Sequence, residues 1–143
     1  MDAVRDAKFR NGVHVVEVEV DPGTGNIDIL NYVIVHDSGR LINPTIVDGQ
    51  ITGGATHGLG SALFERMIYD DQGQPQTTNF GEYLLPSAPE VPSYNIMHIE
   101  SPTPLNPLGV KGAGEGGTIP VTSAIASAVD DALTDFGVVI REL

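Results

Sequence analysis

Residues 13–36 read VHVVEVEV, DPGTGN and IDILNYVIVH, and this stretch decides the fold class. In the first block Val16, Val18 and Val20 fall on one side of an extended chain, with Glu17 and Glu19 on the other. That is the period-two pattern of a half-buried strand. Asp21 to Asn26 holds Pro22, Gly23 and Gly25, which is turn chemistry, and Ile27 to His36 is rich in β-branched residues suited to a second strand. The stretch predicts a β-hairpin.

Working outward, Asp37 to Pro44 predicts a loop, and Asn43-Pro44-Thr45 a helix entry. From there to about Met67 the apolar residues Ile46, Val47, Ile51, Ala55, Leu59, Leu63 and Met67 recur at helical spacing. Gly49, Gly53, Gly54, Gly58 and Gly60 lie inside the same stretch, and each costs up to about 1 kcal/mol relative to alanine in a helix interior. Such a helix needs close packing against a neighbour or a ligand to use the missing side chains, and the residues leave both readings open. Tyr94 to Glu100 predicts a third strand. Ser101 to Gly117 predicts a long loop with three prolines and five glycines, the kind that is usually functional or disordered. Thr118 to Phe136 predicts a helix with Pro120 in its first turn, and Val138 to Ile140 a last short strand. The expected class is α+β: a hairpin plus short strands packed with a glycine-rich helix and a C-terminal helix, one domain over residues 1–143.

Composition excludes several functions. The 143 residues contain no cysteine, so a disulfide framework, a thiolate metal site and an iron–sulfur cluster are out. Seven basic against nineteen acidic residues give a net charge of −12, with no adjacent basic pair to neutralise phosphates. Nucleic acid and anionic membrane are not expected partners. No run is long and apolar enough to span a bilayer, and Met1 to Lys8 carries charges instead of an apolar leader, so a cytoplasmic location is expected.

Gly112-Ala113-Gly114-Glu115-Gly116-Gly117 satisfies a G-x-G-x-x-G pattern. A dinucleotide fingerprint requires a central strand just before it, and the preceding Pro104-Leu105-Asn106-Pro107 cannot supply one. What remains is Glu115 in a glycine-dense loop before a helix. It reads either as a first-turn charge favourable to the helix dipole or as a base that a substrate must approach closely. His14, His36, His57 and His98 show no metal-ligand spacing with one another or with carboxylates, and His57 alone has site-like company.

Two blocks carry a family resemblance. His36-Asp37-Ser38-Gly39-Arg40, Ile42-Asn43-Pro44, Gly49-Gln50, Gly53-Gly54 and Gly58-Leu59-Gly60-Ser61-Ala62-Leu63-Phe64-Glu65 form the first. Asn106-Pro107-Leu108-Gly109-Val110-Lys111-Gly112-Ala113-Gly114-Glu115-Gly116-Gly117-Thr118-Ile119 form the second. In this order they resemble the C-terminal part of the molybdenum-binding large subunit of the molybdenum hydroxylases. That family includes xanthine dehydrogenase, aldehyde oxidase and aerobic carbon monoxide dehydrogenase.

The resemblance implies an oxidoreductase that hydroxylates a small carbon substrate (an aldehyde, an N-heterocycle or CO) with water-derived oxygen. Glu115 takes the general-base position, and His57, Gly58, Gly112, Gly114 and Gly116 take cofactor-binding positions; a glutamine commonly stands where this chain has His57. The implied cofactor is molybdenum–molybdopterin, with FAD and 2Fe-2S clusters on partner subunits or domains. The implied partners are the remaining segments of the large subunit, the flavin and iron–sulfur subunits and the small-molecule substrate. No metal ligand falls in this chain. The isolated chain is expected to be inactive, to bind no cofactor tightly, and either to self-associate through surfaces meant for missing segments or to hold the Ser101 to Gly117 loop poorly ordered without cofactor. A non-catalytic interaction or assembly module is the alternative.

Overall fold

A computed structural model describes residues 10–140. The hairpin forms as the alternation predicts. Strand β1 (Asn11–Val20) pairs antiparallel with β2 (Ile27–Asp37), setting Val13 against Val35 and Val15 against Val33. The Asp21 carboxylate closes the turn, accepting from the Gly23 N–H at 2.8 Å and the Thr24 hydroxyl at 2.7 Å. Strand β3 (Tyr94–His98) lies parallel on the other side of β2, with Tyr32 opposite Tyr94 and His36 opposite His98. A parallel pair needs a crossover, supplied here by helix α1 (Pro44–Leu63) and an irregular segment over residues 64–93.

Helix α2 (Val121–Ala132) packs on both β1 and α1. The core is built from three elements: Tyr32 and Ile34 of β2, Ile51, Ala55 and Leu59 of α1, and Val121, Ile125 and Val129 of α2. Burying each large side chain contributes roughly 1.5–3 kcal/mol. The other face of the sheet is open among the described residues: Val13 is 61% exposed, Val15 59% and Met97 47%.

Three helix boundaries differ from expectation, and β3 stops at His98 instead of Glu100. Helix α1 ends at Leu63 instead of Met67, because the N–H groups of both Phe64 and Glu65 turn back to the Gly60 carbonyl and the chain then runs off to pair Ile68 with Thr77. Helix α2 begins at Val121 instead of Thr118, after successive turns in which Glu115 accepts from Thr118 and Thr118 from Val121. It ends at Ala132, and Thr134–Phe136 form a separate 3-10 turn. The expected strand over 138–140 is absent: the Ile140 N–H is taken by the Asp130 carboxylate at 2.6 Å, so it joins no ladder. The leader-free N-terminus read from Met1 to Lys8 lies outside the described residues. No helix among the described residues is long and apolar enough to cross a membrane.

Candidate functional site

Helix α1 starts where Asn43 caps it, its side-chain oxygen accepting from the Ile46 N–H at 3.2 Å, with Pro44 in the first helical turn. The five glycines then divide by face. A side chain at Gly58 would meet the Val121 Cβ at 2.6 Å, at Gly54 the Thr118 hydroxyl at 3.0 Å, and at Gly60 the Glu65 carboxylate at 2.5 Å. Close packing uses these three. Gly49 and Gly53 have nothing within 4 Å of where a side chain would begin. With Gly54, Gln50 and His57 they line a cleft of about 270 Å3, so the glycines of one helix divide between a packed side and an open one, with Gly54 at the border.

The facing wall is the loop carrying Glu115. Its first part is tied to the end of β2: Gly39 bridges Val110, the Arg40 N–H donates to the Gly109 carbonyl at 3.0 Å, and the Lys111 N–H donates to the Ser38 carbonyl at 2.8 Å. The Asn106 side chain bonds both the N–H and the carbonyl of Val110. Further on, Gly116 is buried against His36 and Arg10, and Gly117 against the Ile51 backbone, where no side chain would fit. Between these anchors Gly114 and Glu115 stay exposed on the cleft. The Glu115 carbonyl accepts from Thr118 and Ile119, and Gln50 Nε2 spans the cleft floor to the Gly114 carbonyl at 2.7 Å.

Charge behind this wall is compact. Asp37 is buried and accepts from the Gly39 N–H at 2.7 Å, the Lys111 ammonium at 3.0 Å and the Ser101 hydroxyl. Desolvation raises its pKa, but these hydrogen bonds together outweigh it and hold the carboxyl down at about 2. His36 is 1% exposed, and its Nδ1 lies 2.9 Å from the Ser38 hydroxyl. Desolvation, then the charges of His98 and Arg10, push its pKa below the usual value against a smaller opposing pull from Asp37. Its Nε2 faces Gly116 and has no hydrogen-bond partner among the described residues.

Of the six residues singled out from sequence, the cleft brings together Glu115, His57 and Gly114. Gly58 lies instead in the contact between α1 and α2, Gly112 stands in open space outside the lining, and Gly116 is buried beneath the loop. Gln50, Thr118, Gly49, Gly53 and Gly54 complete the cleft; the three glycines were read from sequence only as helix positions that packing or a ligand must use. Positions 49, 53 and 57 recur every four residues, and that spacing was the available signal. His98, which shows no metal-ligand spacing in the sequence, meets Asp48 at 2.6 Å across fifty positions of sequence. Among the described residues no group of three or more His, Asp or Glu side chains is placed to hold a metal ion.

A family model described as molybdopterin cofactor-binding domain matches residues 2–92. The chain is 46% identical over 135 residues to the nicotine 6-hydroxylase large subunit of Paenarthrobacter nicotinovorans, covering 94% of this chain and 16% of that one. It is 34% identical over 127 residues to the carbon monoxide dehydrogenase large chain of Hydrogenophaga pseudoflava, covering 89% and 16%. The crystal structure of quinoline 2-oxidoreductase from Pseudomonas putida 86 superposes with a TM-score of 0.89 at 44% identity, over 92% of this chain and 17% of that one. The chain thus spans 16% of the length of each of these two curated relatives.

Proposed function

The chain belongs to the molybdopterin cofactor-binding domain family, and from that premise we propose that it forms one wall of the active site of a molybdenum hydroxylase, with Glu115 as the general base. The observation that carries this reading is the cleft itself, where Glu115 shares one opening with the bare backbone of Gly49 and Gly53 and the side chains of Gln50 and His57. These residues suit a flat pterin group. The two glycines leave open the space a Cβ would fill, and Gln50 and His57 offer hydrogen-bonding atoms along the same helix face. When bound, the molybdenum–molybdopterin group supplies a two-electron redox centre and access to oxygen drawn from water.

The chain's own part is positioning and proton transfer. Backbone bonds from Thr118 and Ile119 to the Glu115 carbonyl fix its main chain while the side chain stays open to the cleft. The Glu115 carboxylate accepts the proton released as water-derived oxygen adds to the substrate carbon. Gly114 beside it keeps the approach clear of a side chain. Nicotine and quinoline, named for two of the relatives, are both N-heterocycles, which favours a nitrogen heteroaromatic over an aldehyde or CO as substrate.

The short span relative to those proteins supports a role as part of a larger molybdenum-binding unit, with flavin and iron–sulfur partners carrying the electrons away. By this reading the isolated chain does not turn over. In the assembled enzyme Glu115→Gln lowers turnover roughly 10^2- to 10^4-fold, the usual contribution of a positioned general base. Molybdenum content measured on the same sample stays unchanged. Full turnover in that variant overturns the assignment and favours a non-catalytic assembly module.

A further inference from the structure

We propose that the buried Asp37–Lys111 ion pair, with the exposed Ser101 bonded to both partners, is a positioning device that sets the Glu115 loop in its working place; this rests on Glu115 acting as the base. The cluster joins chain segments far apart in sequence. Lys111 Nζ lies 3.0 Å from Asp37 Oδ2 and 2.6 Å from Ser101 Oγ, and the Ser101 hydroxyl and N–H both donate to Asp37. The side chains of Lys111 and Asp37 are 7% and 10% exposed. One carboxylate thereby fastens the end of β2 to both the first residue of the loop and the residue four positions before Glu115.

Chemistry and geometry favour positioning over any activity of the cluster's own. Asp37 is paired with Lys111 at 3.0 Å, and the Ser101 hydroxyl donates to that carboxylate instead of being activated as a nucleophile. A buried ion pair is also weak grounds for stability, since apolar replacement of both partners is often neutral or better. What the pair does fix is location. Only Gly112, Ala113 and Gly114 separate Lys111 from Glu115, and two of these three have no side chain to restrain the backbone. The backbone bond from Lys111 to Ser38 and the left-handed Gly39, φ +68° and pressed on the Gly109 carbonyl, give the same stretch a second fastening. Beyond Glu115 the buried Gly116 and Gly117 hold the other side.

The test compares Ser101→Ala and the paired change Lys111→Met with Asp37→Asn, which leaves no unpaired buried charge, against Val129→Ala, a core change remote from the cluster. In the 143-residue chain, hydrogen exchange at the Gly116 and Thr118 amides should quicken about tenfold or more in both cluster variants while Ile125 in α2 is unchanged. Val129→Ala should show the reverse pattern. In the assembled enzyme with quinoline as probe, kcat should fall roughly 10- to 100-fold in the paired variant, the cost of a small misplacement, with KM and molybdenum content held. The loss should vanish in a Glu115→Gln background. Unchanged loop exchange, or a kcat loss equalled by Val129→Ala, overturns the positioning role. If Glu115→Gln itself retains activity, the assignment of the base fails instead. If the paired variant does not fold, Ser101→Ala, which keeps the ion pair, must still quicken loop exchange, and its failure to do so also overturns the proposal.

Discussion

Asp37 and His14 make the fold sensitive to acid in two separate windows. Asp37 titrates at about 2 when folded, below its ordinary value, so its stabilisation is complete above about pH 4 and is lost as pH falls through 2. The shift corresponds to about 2 kcal/mol. His14 is pushed down to about 4, first by desolvation and then by the neighbouring His36, while its Nδ1 sits 3.0 Å from the Tyr32 hydroxyl. An unfolded chain takes up that proton near pH 6.5 and the folded one does not, so stability falls as pH drops from 6.5 toward 4. Urea unfolding across this range should show both losses, and Asp37→Asn should remove only the lower one; a pH-independent midpoint would contradict the burial of both groups. The place of Glu115 in a glycine-walled loop before a helix was legible in the sequence because glycines crowd around it. The partners of Asp37 were not, since Lys111 lies 74 positions away and nothing local to either residue records the pairing.

Helix α1 offers a cleaner test of what its glycines do. Gly58→Ala places a methyl 2.6 Å from the Val121 Cβ and should destabilise the fold by about 1–3 kcal/mol through overpacking. Gly53→Ala meets open space, so helix propensity should stabilise the fold by up to about 1 kcal/mol. In the assembled enzyme the same methyl should hinder cofactor loading, read as a lower molybdenum content. Equal thermal shifts for the two variants would refute the division of the helix into a packed face and an open one. Period-two and helical spacing made the hairpin and both helices legible. The ends of the helices were not, because they are set by local backbone turns onto the Gly60 and Glu115 carbonyls that hydrophobic spacing does not record. Nor did the strand signal over Tyr94 to Glu100 say which neighbour it would pair with, or in which direction.

At the scale of the whole molecule, the open sheet face carrying Val13, Val15 and Met97 is the surface through which the lone chain should self-associate. Sedimentation velocity should find oligomers, and Val13→Lys with Val15→Lys should shift them to monomer without loss of circular dichroism signal. A wild-type chain that stays monomeric at high concentration would argue that this face needs no cover. The pairing of β3 with β2 has a kinetic consequence as well. The hairpin closes across the six residues Asp21 to Asn26, whereas bringing Tyr94 beside Tyr32 closes a loop roughly tenfold longer, at an added entropic cost of about 2 kcal/mol. Assembly therefore has an order: the hairpin is the early scaffold, and the parallel strand, the Asp37 fastening and the Glu115 cleft come together late. Substitutions in the turn should change the rate of folding, and those around the cleft chiefly the rate of unfolding. By that order the Glu115 cleft should be the last part of the domain to form and the first to open, which hydrogen exchange would read as the weakest protection around residues 112–117.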